Sequence, residues 1–203
     1  GWAVEAEQEN LFKKSAADYF LLGAGENSLT DLVEARKKGD NVSEVQGIIY
    51  RKDDGVFKNL PKKLEKDSFE MFPERAGSYY FKRKKISRMT VSKGCVFKCE
   101  FCAIHRQNKF MCRSLDSVEK EMQYLAENGS EIINFEDDNL FFDKVWNKGF
   151  IELLSKFNKK YGITYTAMNG ITAANLAPIV EEVIDAGFIE FNLSNPLQSI
   201  SII

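Results

Sequence analysis

Apolar positions along the chain follow two regimes. Between residues 18 and 59 they form short runs. Asp18 to Gly25 reads as a short buried strand that closes in a glycine turn. A helix is predicted from about Ser28 to Lys38, with Ser28 as its cap, Asp31 in its first turn and Gly39 as its stop. Residues 45–59 predict a hairpin that turns at Asp53-Asp54-Gly55. Residues 60–80 carry Pro61, Pro73 and Gly77 with little periodicity and are expected to be a linker. From Ile86 the pattern becomes strands alternating with amphipathic helices. Strands are predicted at 86–91, 131–135, 163–168 and 188–193, and helices at 115–128, 144–161 and 175–186. Val118, Met122 and Leu125 share one helix face, as do Ile151, Leu154 and Phe157. Ser114 is placed to cap the first of these helices, and Gly129, Gly162 and Gly187 to stop all three. Such β-α-β order predicts parallel strands joined by right-handed crossovers.

Composition narrows the function. Of 203 residues, 44% are hydrophobic, which excludes a disordered chain. The 28 basic and 30 acidic residues nearly cancel, so there is no general pull towards nucleic acid or anionic membranes. No apolar run reaches the roughly 18 residues of a membrane span. With Glu5, Glu7 and Glu9 crowding the start, no secretory n-region and h-region is expected there. The chain opens on Gly1 rather than Met and is expected to be an interior fragment of a longer protein. Its four cysteines are too sparse for a disulfide scaffold. Three of them, Cys95, Cys99 and Cys102, share one loop, which points to a metal site in a reducing, cytoplasmic compartment.

That loop runs Ser92-Lys93-Gly94-Cys95-Val96-Phe97-Lys98-Cys99-Glu100-Phe101-Cys102 and follows a predicted strand. It resembles the radical S-adenosylmethionine (radical SAM) enzymes in its C-x3-C-x2-C spacing. Phe101, the aromatic before the third cysteine, and Gly94, before the first, extend the likeness. Iron–sulfur cubes normally take four thiolates. Three would leave one iron open, as a catalytic metal keeps a position for its ligand. The resemblance implies a 4Fe-4S cluster on Cys95, Cys99 and Cys102, with S-adenosylmethionine chelating the open iron. It further implies reductive cleavage of that cofactor to a 5′-deoxyadenosyl radical, and a reductant such as a flavodoxin or ferredoxin. Phe101 would pack beside the adenine. The alternative is a non-catalytic iron–sulfur or zinc-binding module, with Cys112 or His105 as a fourth ligand; no second CxxC knuckle supports zinc. Lys82 to Lys85 could bind phosphate but read better as a solvated approach to the strand.

Polar clusters end three predicted strands: Glu136-Asp137-Asp138-Asn139, Asn169-Gly170 and Asn192-Leu193-Ser194-Asn195. Ligands of parallel α/β barrels sit at such ends. By the resemblance, Glu136, Asp137, Asp138, Asn169 and Ser194 are candidates for holding the cofactor. The family's usual Gly-Gly-Glu is absent, and the acidic run stands in its place. Residues 18–59 look like the end of a cobalamin-binding domain, as in the cobalamin branch of the family. The expected fold is therefore α/β. A Rossmann-like remnant and connector would occupy 1–80, and part of an open radical SAM β/α barrel 81–203. By the resemblance, cobalamin would belong to the full-length parent, with methyl transfer or related radical chemistry as its use, and this chain alone is not expected to hold it productively. The substrate is unknown.

Overall fold

The computed structural model describes residues 2–23, 25–62, 66–72, 79–100, 102, 104 and 110–194. They form two compact units, Gly1–Phe69 and Glu70–Ile203.

The first unit holds helix α1 (Trp2–Lys13), strand β1 (Tyr19–Leu21), helix α2 (Gly25–Lys38), strands β2 (Ile48–Lys52) and β3 (Gly55–Lys58), and a short helix α3 (Lys66–Glu70) that spans its boundary. The strands make an antiparallel sheet in the order β1-β2-β3. Alternation along β2 builds the packing, because successive side chains of a strand face opposite ways. Ile49 packs with Phe12 of α1 and with Leu22. Ile48 and Tyr50 pack with Leu32 of α2 and with Val45. Arg51 donates to the carbonyls of Phe12 (2.9 Å) and Ser15 (3.1 Å), which closes the end of α1. The helix predicted from Ser28 begins three residues earlier, so Ser28 is no cap. It lies buried inside α2, and its hydroxyl makes no hydrogen bond. Gly47 is required beside it: at φ +72° an added Cβ would stand 2.5 Å from Ser28 Oγ.

The second unit holds strands β4 (Tyr79–Phe81), β5 (Lys84–Met89), β6 (Ser92–Lys93) and β7 (Met111–Cys112), helix α4 (Leu115–Glu127), β8 (Ile132–Phe135), helix α5 (Lys144–Tyr161), β9 (Thr164–Thr172), helices α6 (Ala173–Leu176) and α7 (Val180–Asp185), and β10 (Phe188–Ser194). The main sheet runs β10-β9-β8-β5-β4. Strands β5, β8, β9 and β10 are parallel, and β4 joins β5 as an antiparallel hairpin. Among the described residues the sheet is open, as expected of a partial barrel. Caps define the helices as their sequences imply. Ser114 accepts from the Ser117 amide, Asp143 from the Trp146 amide, and Gly162 ends α5 at φ +70°.

Three local expectations change. β4 falls at the end of the stretch read as a linker. β9 runs on through Asn169-Gly170, because Ile171 and Thr172 pair with Leu193 and Ser194 of β10. The last helix is broken by a 3-10 turn at Ala177–Ile179, where Pro178 lacks the N–H that a continuous helix needs.

One face of the sheet carries the core. Met89, Ile133, Phe135, Tyr165, Ala167 and Phe188 meet Val118, Met122 and Leu125 of α4 and Phe150, Leu154 and Phe157 of α5. Phe135 lies at its centre, with the rings of Phe150, Tyr165 and Phe188 at 5.3–5.9 Å. Full burial of one such ring stabilises the fold by about 1.5–3 kcal/mol. No helix among the described residues is long and apolar enough to cross a membrane.

Candidate metal loop and polar sheet face

β5 delivers the chain into the core through Met89 and Val91, both buried, and the cysteine loop leaves from Ser92, also buried. The two-residue ladder of β6 and β7 pairs Ser92 with Cys112 and Lys93 with Met111, so both arms of the loop are tied together. The Arg113 amide adds a bond to the Val91 carbonyl at 2.9 Å. Gly94 stands at φ +83°, directly before the first cysteine, a turn that favours glycine.

Cys95, Cys99 and Cys102 are half-buried, and none is in a disulfide. The Cys102 amide donates to the Cys99 carbonyl at 3.0 Å, which ties the second and third cysteines together. Burial pushes the Cys95 thiol above its ordinary range. The nearby charges of Cys102, Cys99 and Asp138 push the same way, and a hydrogen bond from the Phe97 backbone opposes them. Among the described residues, no three His, Cys, Asp or Glu side chains are drawn together as an ion would hold them. The donor set nonetheless fits an iron–sulfur cluster: three free thiols on one tethered loop, short of the four that would close every position. Phe101 and His105 lie outside the described residues.

The returning arm is anchored by a buried cation. Arg113, 3% exposed, pairs with Glu121, 2% exposed. It also donates to the Thr90 carbonyl (3.1 Å) and to Ser117 Oγ (3.0 Å). Trp146 Nε1 donates to the Arg113 carbonyl at 3.0 Å.

The acidic run at the β8 exit divides into separate tasks. Asp137 is buried, and its carboxylate accepts from the Val91 amide (3.1 and 3.2 Å), the Ser92 amide and Ser92 Oγ (2.6 Å). Burial pushes its pKa up to about 7, against the pull of those donors. Asp138 accepts from the Gly94 amide at 3.0 Å. Glu136 turns to the other face of the sheet, where Arg88 Nε approaches it at 3.2 Å and Asn134 donates to it at 3.3 Å. Asn169 Nδ2 donates to the Glu136 carbonyl at 2.9 Å. Asn139 accepts from Thr172, both amide and hydroxyl. Ser194 is the last described residue, paired through its backbone with Thr172.

Sequence reading missed the row that Glu136 joins. Arg88, Asn134 and Thr166 are aligned across β5, β8 and β9 by strand register, and Thr166 Oγ1 donates to Asn134 at 2.8 Å. Parallel strands are usually apolar on both faces. The hydrogen-bonded polar row opposite the core departs from that pattern. The signal available was one polar residue directly before a buried apolar one on each strand: Arg88 before Met89, Asn134 before Phe135 and Thr166 before Ala167.

No family model matches the chain. Over 150 residues it is 24% identical to the anaerobic magnesium-protoporphyrin IX monomethyl ester cyclase of Synechocystis sp., covering 68% of this chain and 29% of that protein. Over 77 residues it is 35% identical to the ribosomal protein uS12 methylthiotransferase RimO of Helicobacter pylori, covering 36% of this chain and 18% of that one. Among solved structures, TsrM from Kitasatospora setae, a radical S-adenosylmethionine methyltransferase with cobalamin and a 4Fe-4S cluster bound, superposes with a TM-score of 0.67. The identity is 18%, over 87% of this chain and 37% of TsrM. The chain has the fold of the cobalamin-dependent radical SAM enzymes. OxsB, a cobalamin-dependent S-adenosylmethionine radical enzyme with aqua-cobalamin and S-adenosylmethionine bound, matches this radical SAM fold at a TM-score of 0.66. Its identity is 16%, over 90% of this chain and 28% of OxsB. The chain thus spans between 18% and 37% of the length of these relatives.

Proposed function

We propose that this chain is the cluster-binding part of a radical SAM enzyme. The observation that carries the reading is a loop of three free, half-buried thiols tethered at both arms, in a fold shared with TsrM and OxsB. Cys95, Cys99 and Cys102 would hold a 4Fe-4S cluster. The chemistry supplied by that cluster, when bound with S-adenosylmethionine, is one-electron cleavage of the sulfonium. The protein's own residues then have distinct tasks. Glu136, half-buried on the polar face, offers a carboxylate oxygen to the amino group of the methionine moiety. Asn169 holds the Glu136 backbone in place. Phe101 and Ser194 complete the cofactor set on resemblance alone. Arg88, Asn134 and Thr166 orient a polar ligand through the row they form.

The parent enzyme is proposed to be cytoplasmic, to draw its electron from a flavodoxin or ferredoxin, and to use cobalamin, as TsrM and OxsB bind it. Methyl transfer on an unidentified substrate is the finer proposal. The test is to reconstitute the chain anaerobically, reduce it and incubate it with S-adenosylmethionine. Formation of 5′-deoxyadenosine that requires both cluster and reductant is expected. A reconstituted, reduced cluster that neither cleaves S-adenosylmethionine nor changes its paramagnetic resonance on adding it would overturn the reading.

A further inference from the structure

We propose that Asp137 and Asp138 are positioning residues, a two-carboxylate clamp on the β8 exit that holds the incoming arm of the cysteine loop and so sets where Cys95 stands. Where β5 ends at Met89, the backbone leaves the main sheet. Its amides lose their ladder partners while the chain is still buried at Val91, Ser92 and Gly94. Buried N–H groups need acceptors. Asp137 takes the amides of Val91 and Ser92 and the Ser92 hydroxyl. Asp138 takes the amide of Gly94, the residue before Cys95. Lys93, between them, is held by the β6–β7 ladder. Every step from Val91 to Gly94 is therefore fixed, most of it from one neighbouring strand end.

The choice of side chain carries the inference further. Burying a carboxylate is costly, and a neutral oxygen could accept the same donors at lower cost. Stability alone does not call for a buried aspartate here. Charge-assisted bonds to backbone amides are shorter and stronger than neutral ones. They hold a loop stem in one place, which is what a three-thiol site needs.

This inference rests on the proposed function for the purpose of the loop, but its test stands apart. The metal-free full chain is treated with limiting iodoacetamide, and alkylation is mapped by mass spectrometry at each cysteine, with thermal melting recorded in parallel. Asp138→Ala, which removes one charge-assisted hydrogen bond, should speed alkylation of Cys95 by about tenfold, and Asp137→Ala, which removes the acceptor of three donors, by at least as much. Helical signal at the assay temperature should be unchanged, and Asp137→Asn, which keeps an acceptor without its charge, should fall between Asp137→Ala and wild type. Reconstituted Ala variants should lose iron to a chelator faster than wild type. Unchanged Cys95 reactivity in both Ala variants would overturn the clamp. So would equal acceleration at Cys112 with loss of helical signal, since that is general unfolding. If Asp137→Ala does not fold, Asp138→Ala is judged against Asp138→Asn, which removes the same charge from beside Cys95 but keeps an acceptor, so that faster alkylation in the Ala variant alone reports the lost hydrogen bond. If the wild-type chain takes up no iron, the proposed function falls while the alkylation result still decides the clamp.

Discussion

Replacing Asp137 with Asn should change how stability depends on pH, and the size follows from burial. Asp137 is 2% exposed, and its folded-state pKa is pushed from 3.8 to about 7. The folded value lies above the unfolded one, so between about pH 4 and pH 7 the native chain keeps a proton that the unfolded chain has released. Stability from this group is full below pH 4, falls as pH rises through that window and is flat above it. A shift of about three units corresponds to about 4 kcal/mol, of which about 3 kcal/mol falls between pH 5 and pH 8. Asn retains an oxygen for the Val91 and Ser92 donors but has no proton to lose. The assay is urea unfolding of the metal-free, reduced chain at pH 5 and pH 8. Trp2→Phe in both proteins leaves Trp146, whose ring lies 4.7 Å from that of Phe150, as the reporter. All other titrations are common to both proteins and cancel. The stability of Asp137→Asn relative to wild type should rise by about 3 kcal/mol from pH 5 to pH 8. A difference that stays flat over that range would refute the reasoning.

Further outcomes follow from single contacts. Glu121→Ala leaves the Arg113 guanidinium buried without its counter-charge and should cost about 3–5 kcal/mol in urea unfolding; a loss of under about 1 kcal/mol would contradict the anchoring role. Leu154→Ala empties a fully buried position under the sheet and should cost about 3 kcal/mol by the same measurement. Asp143→Ala removes the acceptor of the Trp146 amide and should cost about 1 kcal/mol, read as a lowered melting temperature.

Much of the second unit was legible because its signals are local. Val118, Met122 and Leu125 recur at helical spacing, Ser114 caps, and Gly162 takes the left-handed turn, all within a few residues of one another. What escaped depends on distant partners. Helix α1 was not foreseen, because its large apolar residues, Trp2, Val4, Leu11 and Phe12, stand at its two ends on either side of Glu5, Glu7 and Glu9, and Phe12 finds its partners in Leu22 and Ile49. Asn169-Gly170 looks like a turn, yet β10 extends the strand through it. Pro178 was visible but given too little weight. In the site, the cysteines announced themselves by spacing. The three consecutive acids did not reveal their different surroundings, because burial of Asp137 follows from where the loop stem passes. The Arg88–Asn134–Thr166 row emerges only once strand register aligns residues far apart in sequence.

The measurement that bears most directly on the whole account is the iron and acid-labile sulfide content of the anaerobically reconstituted chain beside its Cys95→Ala, Cys99→Ala and Cys102→Ala variants. The wild-type chain should hold about four iron and about four sulfide, and each variant should lose most of both. Full iron and sulfide in any one of the three variants would contradict the assignment of those thiols to a cluster.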